Sequence, residues 1–272
     1  MGIKTFLIIL LFILNLSAKE RIISLSPSIT EIVYALGAGD KLVATTAYSL
    51  YPTEAQKLPI IGGYESPHIE KIISYSPTLV IGQNYNQNAL GKLNKFNIDT
   101  LSLSLKTIQE IVNAINKIAH KIDRVQEAQK LIDTINNKIS NITKTQDSRK
   151  VMIVYGLKED LRSRIYIAGN HIFFNDIITL SGHTNAYTAD TTAQPVLSYE
   201  NVIALNPDQI IILHSHATEA NVNVEKALQA WYTLPTNASK NKKISIVDED
   251  YLHIPSHRIA LTIEKLSKEM HD

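Results

Sequence analysis

Hydrophobic and polar positions follow the same order in two segments of the chain, 70–81 and 200–212. Each segment has a glutamate, Glu70 or Glu200, then an apolar pair, and a proline seven residues after the glutamate. A short apolar run follows each proline. This order predicts a short helix, a proline turn and a buried strand. Because the unit occurs twice, we expect two similar lobes with a ligand-binding cleft between them.

The segment 22–44 predicts a strand, a helix and a second strand. Ser28 follows the apolar run 22–25, and Glu31 lies three residues later, which predicts a capping box at the start of a helix that ends at Gly37. A second apolar run at 42–44 predicts the next strand. This order favours a parallel sheet, so the predicted fold class is α/β.

Apolar residues recur at three- and four-residue steps between positions 107 and 141, and neither Gly nor Pro interrupts them. The period predicts one helix of about 35 residues, roughly 50 Å long. Such a helix can be a coiled-coil partner or a rigid connection between lobes, and its broad apolar stripe favours the connection. We therefore expect a first lobe at 19–105, a linking helix at 106–146 and a second lobe at 147–272, with mostly parallel sheets. Further helices are expected at 173–180 and 257–269.

The first 18 residues have the order of a secretory signal peptide, with Lys4 before a short apolar run and Ala18 at its end. The chain contains no cysteine, which excludes disulfides, thiolate metal sites and an acylated N-terminal cysteine. Basic and acidic residues number 27 and 26, so the charge gives no indication of nucleic-acid binding. We expect an exported, monomeric protein located in the periplasm.

The chain lacks the sequence motifs of nucleophilic catalysis and of phosphate or dinucleotide binding. An interpretation as an enzyme therefore depends on its histidines. His214 and His216 follow the apolar run 210–213 and can share a metal ion from an extended segment. Three interpretations stay open: a metal-dependent hydrolase, solvated loop histidines, and a ligand contact at the end of a strand.

Tyrosines in predicted loops are the second source of candidate chemistry, because a phenol offers both a flat face and an oxygen that binds ferric ions. They are Tyr48, Tyr51, Tyr64 and Tyr85. Asp250 and Tyr251 belong to a polar and aromatic cluster that continues to His253. Arg258 follows, with Ser256 beside it, and for both we favour a role in organising the start of the last helix over a contact with a carboxylate ligand.

Several motifs together resemble the periplasmic binding proteins of iron-siderophore, haem and vitamin B12 importers. They are the segments 21–32, 36–43, 51–52, 58–62, 169–185 and 255–258, and the two glutamate-to-proline units. The resemblance covers essentially the whole chain after the leader. It implies two α/β lobes joined by one long backbone helix, no catalytic activity and no intrinsic cofactor. It also implies that Glu70 and Glu200 dock onto an ABC permease dimer, which works with its ATPase.

The resemblance narrows the ligand to a metal chelate, with an iron chelate as the expectation. Haem binders of this family carry a metal-binding tyrosine at the position of Tyr64 and in some cases a histidine near His171. Cobalamin binders use tryptophans where this chain has Tyr64 and Gln194, so vitamin B12 is the alternative; a nickel chelate also stays open. The expected ligand-binding residues are Tyr48, Tyr64, Gln83, His171, Gln194, His214, Asp250 and Tyr251. Tyr64, His171 and His214 are the candidate metal ligands.

Overall fold

The structure is a computed structural model that describes residues 20–190, 194–214 and 222–271. The expected signal peptide and His216 lie outside these ranges. Among the described residues, none of the helices combines the length and the apolar character needed to cross a bilayer.

The first lobe is built around a four-stranded sheet in which all strands are parallel, in the order β2-β1-β3-β4. Its elements are β1 (Ile22–Ser24), α1 (Pro27–Ala35), β2 (Leu42–Ala44), α2 (Ile69–Ser74), β3 (Leu79–Gln83), α3 (Gln87–Asn94) and β4 (Asp99–Leu103). Short 3₁₀ turns lie at Gly39–Lys41, Thr53–Lys57 and Asn84–Asn86. The expected parallel sheet is confirmed.

The second lobe has a mixed sheet in the order β10-β9-β5-β6-β8. Strands β10, β9 and β5 are parallel, β6 is antiparallel to both of its neighbours, β5 and β8, and β7 pairs in parallel with the start of β5. The strands are β5 (Lys150–Tyr155), β6 (Ile165–Ile167), β7 (Thr184–Asn185), β8 (Val196–Leu197), β9 (Gln209–His214) and β10 (Ile244–Asp248). The helices are α6 (Phe173–Leu180), α7 (Tyr199–Leu205), α8 (Val224–Tyr232), α9 (Asn237–Lys240) and α10 (Ile259–His271).

The repeated unit has the same backbone geometry in both lobes. Helix α2 and strand β3 form the first copy, and α7 and β9 form the second. The residue before each proline, Ser76 or Asn206, has a positive φ of 45° or 47°. This left-handed residue ends the helix and turns the chain into the strand, so the predicted helix, turn and buried strand are confirmed.

The connection between the lobes differs from the expectation of one continuous helix, which is wrong. Helix α4 (Ile108–Ile122) and helix α5 (Val125–Ser140) are separate, with Asp123 in the left-handed conformation at φ 55° and Arg124 non-helical. Aspartate adopts this conformation more readily than most residues, so the helix ends without Gly or Pro.

One hydrophobic core extends through both lobes. It joins Ile22 and Ile81 of the first sheet, Ile115 of α4, and Ile211 and Leu213 of the second sheet. The opposite face of each sheet packs against its own smaller cluster of apolar side chains. Both sheets are therefore covered on two faces, which explains the uninterrupted apolar runs of their central strands.

Candidate functional site

A cleft lies between the lobes, where loops from both sheets meet at the carboxyl ends of their strands. This is the edge at which open parallel sheets bind ligands. The cleft consists of two adjoining cavities of about 310 Å³ and 360 Å³, here called the first and second chambers. His253 and Pro255, from the loop after β10, line both chambers.

The first chamber presents three tyrosines of the first lobe to the cleft: Tyr48, Tyr64 and Tyr85. Their side chains are 68%, 41% and 49% exposed. The rings of Tyr64 and Tyr85 meet edge to face, with centroids 6.1 Å apart. Although half of Tyr85 is exposed, the burial of its other half raises the pKa to about 12, with added repulsion from Tyr64 and Glu65, so this phenol stays a neutral hydrogen-bond donor at physiological pH. The chamber is suited to a flat or metal-bearing ligand.

A buried side chain and a glycine turn fix the position of the loops that carry these tyrosines. The buried amide of Asn86 donates to the backbone carbonyl of Tyr64 at 2.7 Å, and its oxygen accepts from the backbone of Gln83 at 2.9 Å. Gly62 has a φ of 121°, and a Cβ there would lie 2.8 Å from the carbonyl oxygen of Ser66. The turn that carries Tyr64 therefore requires glycine at this position.

The second chamber is more apolar. Tyr155, Phe173 and Phe174 form its aromatic wall, with Gln194 and Lys106 beside them. Burial raises the pKa of Tyr155 well above its ordinary value, and its ring packs against Phe174 and against His253. Lys106 is the only charged side chain that lines either chamber among the described residues.

A buried ion pair joins the lobes next to the cleft. Glu31 of α1 accepts hydrogen bonds from Arg258 at 2.5 Å and 3.0 Å and from the Ser256 hydroxyl at 2.5 Å. Glu31 is 2% exposed and Arg258 is 7% exposed. Arg258 also pairs with Asp250 at 3.0 Å, and its guanidinium lies over the ring of Tyr51 at 4.0 Å. The predicted capping role of Glu31 is wrong, because Ser26 caps α1, with Pro27 following it.

The chamber linings include four of the eight expected ligand-binding residues. Tyr48, Tyr64 and Gln83 line the first chamber, and Gln194 lines the second. His253 and Lys106 line the cleft as well, although the sequence reasoning did not select them as ligand-binding residues. His253 lies in the polar cluster recognised in the sequence, whereas Lys106 had no local signal, since its neighbours in the cleft come from distant segments.

The other four expected residues lie outside the chamber linings. His171 is exposed and contacts the carboxylate of Asp190. His214 is buried at the end of β9 and is 3% exposed. The carboxylate of Asp250 is engaged by Arg258, and the ring of Tyr251 lies 5.8 Å from that guanidinium. Their roles towards a ligand stay predictions.

The expected docking residues are exposed in the first turns of equivalent helices, Glu70 in α2 and Glu200 in α7. The Ser198 hydroxyl, the backbone N–H of Glu200 and the Tyr199 phenol hold the pKa of the Glu200 carboxyl below its usual range. Glu200 is therefore ionised at neutral pH and available to a cationic partner.

A larger cavity of about 580 Å³ lies at the opposite end of the first lobe. It is lined by Glu20, Lys41, Asp99 and Lys121, which form ion pairs with one another. It opens at the amino ends of β1 and β3, away from the loops that carry the tyrosines. We therefore do not assign the ligand to this cavity.

Within the described ranges, no group of three or more His, Asp or Glu side chains is arranged to hold a metal ion. His216 lies outside those ranges, so the metal site proposed for His214 and His216 stays a prediction.

Comparisons with known proteins agree with this architecture. Residues 22–251 match the model of the periplasmic binding protein family. The vitamin B12-binding protein of Vibrio cholerae is 30% identical over 250 residues, which is 91% of this chain and 87% of that protein. The periplasmic haem-binding protein HutB of Vibrio cholerae superimposes with a TM-score of 0.78 at 24% identity, over 94% of this chain and 100% of its own. BtuF, the periplasmic vitamin B12-binding protein of the same organism, gives 0.72 at 25%, over 93% and 96%.

Proposed function

The chain belongs to the periplasmic binding protein family, and we propose that it captures an iron chelate, a ferric siderophore or haem, in the cleft between its lobes. It then delivers the chelate to the permease of an ABC importer. Members of this family bind and hand over their ligands without converting them, so the chain is not an enzyme and the hydrolase interpretation is set aside. We also propose that the leader is cleaved off and that the protein is a monomer.

The observation that carries the choice of ligand is the group of tyrosines at the first chamber. Tyr48, Tyr64 and Tyr85 line one cavity, to which His253 of the second lobe also contributes. A phenolate oxygen from Tyr48 or Tyr64 is a hard ligand that suits ferric iron, Tyr85 adds a neutral phenol, and the three aromatic faces suit a planar chelate. Exposed aromatic surface of this extent is typical of a binding site.

Tyr64 is expected to contact the metal or the ring of the chelate. Titration of the wild type with haem and with ferric siderophores should change the absorption spectrum of the cognate chelate. Tyr64→Ala should weaken binding about tenfold or more, the effect of losing one good contact of roughly 1.4 kcal/mol. Tyr64→Phe separates the two roles, because it keeps the edge-to-face contact with Tyr85 but removes the oxygen.

Tyr75→Phe is the control for this experiment, because Tyr75 packs in the first lobe away from the cleft. Its affinity should equal that of the wild type. A wild-type protein whose addition leaves the spectra of haem and of all ferric siderophores unchanged would refute the iron-chelate proposal.

Vitamin B12 is the second candidate, favoured by the 30% identity to the Vibrio cholerae vitamin B12-binding protein. The aromatic lining of the cleft argues for iron instead. The single tryptophan of the chain, Trp231, is buried in the core of the second lobe, so the cleft offers no indole to a corrin ring. Titration with cobalamin under the same conditions decides between the two ligands. Only the cognate ligand should bind with a dissociation constant in the low micromolar range or below.

Docking to the permease is expected to depend on Glu70 and Glu200. Replacing both by arginine reverses two charges on surfaces proposed to face a two-fold permease dimer. Ligand affinity should stay unchanged while ligand uptake by cells carrying the importer is lost. The control reverses two other exposed glutamates, Glu54 and Glu225, one in each lobe. Normal uptake by the Glu70→Arg, Glu200→Arg variant would show that docking uses another surface.

A further inference from the structure

The two chambers differ in the chemistry they offer to one ligand. The first chamber presents phenol oxygens and amide groups from Tyr48, Tyr64 and Gln83. The second presents aromatic carbon from Tyr155 and Phe173, and Lys106 and Gln194 also line it. Since the chambers adjoin at His253 and Pro255, a ligand that fills both needs a polar or metal-bearing part and an arm that combines apolar surface with a group able to accept from Lys106.

Among the described residues that line the second chamber, Lys106 carries the positive charge. Its side chain is exposed, and no described carboxylate forms an ion pair with it. The nearby Glu110 uses one carboxylate oxygen to accept from Ser104 and from the backbone of Lys106 and Thr107, at 2.7, 2.8 and 3.2 Å. The charge of Lys106 helps to lower the pKa of the Glu110 carboxyl, but the two side chains form no ion pair, so the ammonium can bind an anionic group that enters the second chamber.

The backbone of Lys106 is held on both sides. Its N–H donates to Glu110 at 2.8 Å, and its carbonyl accepts from the N–H of Phe173 of the second lobe at 2.6 Å. The lysine stem therefore starts from a point where the two lobes touch. A fixed starting point reduces the conformational entropy that is lost when the ammonium binds an anion.

We propose that Lys106 forms an anion subsite in the second chamber, so that the ligand is a chelate with a carboxylate-bearing arm. The metal-bearing part of the chelate then lies among the tyrosines of the first chamber. This inference rests on the proposed function and adds the orientation and the chemical class of the ligand.

The test compares acidic and neutral versions of one chelate. Haem has two carboxylates, and haem dimethyl ester has none; a ferric hydroxamate siderophore with a free carboxylate and the methyl ester of the same siderophore form the second pair. Wild-type protein should bind the acidic member of the cognate pair about tenfold more tightly, the effect of one charge-assisted hydrogen bond. Lys106→Gln should remove this preference by weakening only the acidic member. Lys106→Arg should retain it.

Lys92→Gln is the control, because Lys92 is exposed on α3 and does not line either chamber. It should leave the preference unchanged. If Lys106→Gln binds the acidic and neutral members in the wild-type ratio, or if the wild type prefers the neutral member, the subsite is refuted while the proposed function stands. Failure of the wild type to bind any of the four probes refutes the proposed function, and the subsite with it.

Discussion

At the scale of single residues, burial decides what an ionisable side chain does. Glu31 has the spacing of a capping residue, but Pro27 places Ser26 at the cap, and Glu31 points inward to Arg258. Burial raises the pKa of Glu31 above its ordinary value, and hydrogen bonds from Arg258 and Ser256 oppose that rise. A carboxylate that looks like part of a helix start is therefore part of the contact between the lobes.

His257 is expected to make the fold sensitive to acid. Burial lowers its pKa from 6.5 to about 4, and the neighbouring charge of Arg258 adds to this effect. Between these pH values the unfolded chain binds a proton that the folded protein does not, so stability falls as the pH drops through this window. The loss is at most about 3 kcal/mol. Glu31 acts in the opposite direction, because its raised pKa makes the folded state bind the proton more readily.

Denaturant unfolding at several pH values between 7 and 4 measures this effect. His257→Gln should flatten the dependence of the unfolding free energy on pH, whatever its effect on stability at pH 7. The control His120→Gln changes an exposed histidine of α4 and should keep the wild-type slope. Equal slopes for the wild type and His257→Gln would contradict the assignment.

At the scale of elements, the connection between lobes shows how a single residue ends a helix. The apolar period continues from α4 into α5 without interruption, and only Asp123 has a left-handed backbone. The two helices still place their apolar faces in the common core, through Ile115 and Ile118 in α4 and Ile132 and Ile135 in α5. Periodicity therefore predicted which side chains are buried, but not that the helix stops.

Glycine substitutions distinguish a broken helix from a continuous one. Asp123→Gly should leave stability unchanged or raise it by up to about 1 kcal/mol, because glycine adopts positive φ without strain. Lys130→Gly, at an exposed interior position of α5, should lower the unfolding free energy by roughly 0.5–1 kcal/mol. The unfolding free energies of the two variants test this directly. A similar loss in both would mean that residue 123 is helical.

At the scale of the whole molecule, non-covalent contacts hold the two lobes together in addition to the helices that connect them. The Glu31–Arg258 pair joins residues more than 200 positions apart. Asp176 of α6 accepts from the backbone of Ile108, at the start of α4, at 2.8 Å. With one hydrophobic core extending through both lobes, these contacts favour a cleft that is formed before the ligand arrives.

Removal of one partner from the buried ion pair should destabilise the protein strongly. Arg258→Met leaves the carboxylate of Glu31 buried without its partner, and we expect a loss of about 3–5 kcal/mol in the unfolding free energy. The double variant Glu31→Leu, Arg258→Met should recover part of this loss, because no unpaired charge remains. Lys138→Met is the control: it breaks an exposed pair with Glu264 and should cost less than about 1 kcal/mol. A similarly small effect of Arg258→Met would contradict a structural role for the buried pair.

More of the fold than of the candidate site could be predicted from the sequence. The repeated unit and the apolar periods are local patterns, and they indicated two α/β lobes and most element positions. Tyr64 was selected as a tyrosine in a predicted loop and again by the resemblance, Gln194 by the resemblance alone, and both line the cleft. Lys106 and the partnership of Glu31 with Arg258 depend on contacts between distant segments, for which the sequence has no local signal.

The burial of Trp231 gives the protein a built-in optical reporter. As the only indole of the chain, it is the sole source of tryptophan fluorescence, and it lies in the core of the second lobe. Selective excitation of this indole therefore reports on the packing of that lobe alone, while the tyrosines of the cleft contribute nothing to the signal. A ligand that absorbs at the emission wavelength, as haem does, would quench this fluorescence by energy transfer and reveal its own arrival without any label.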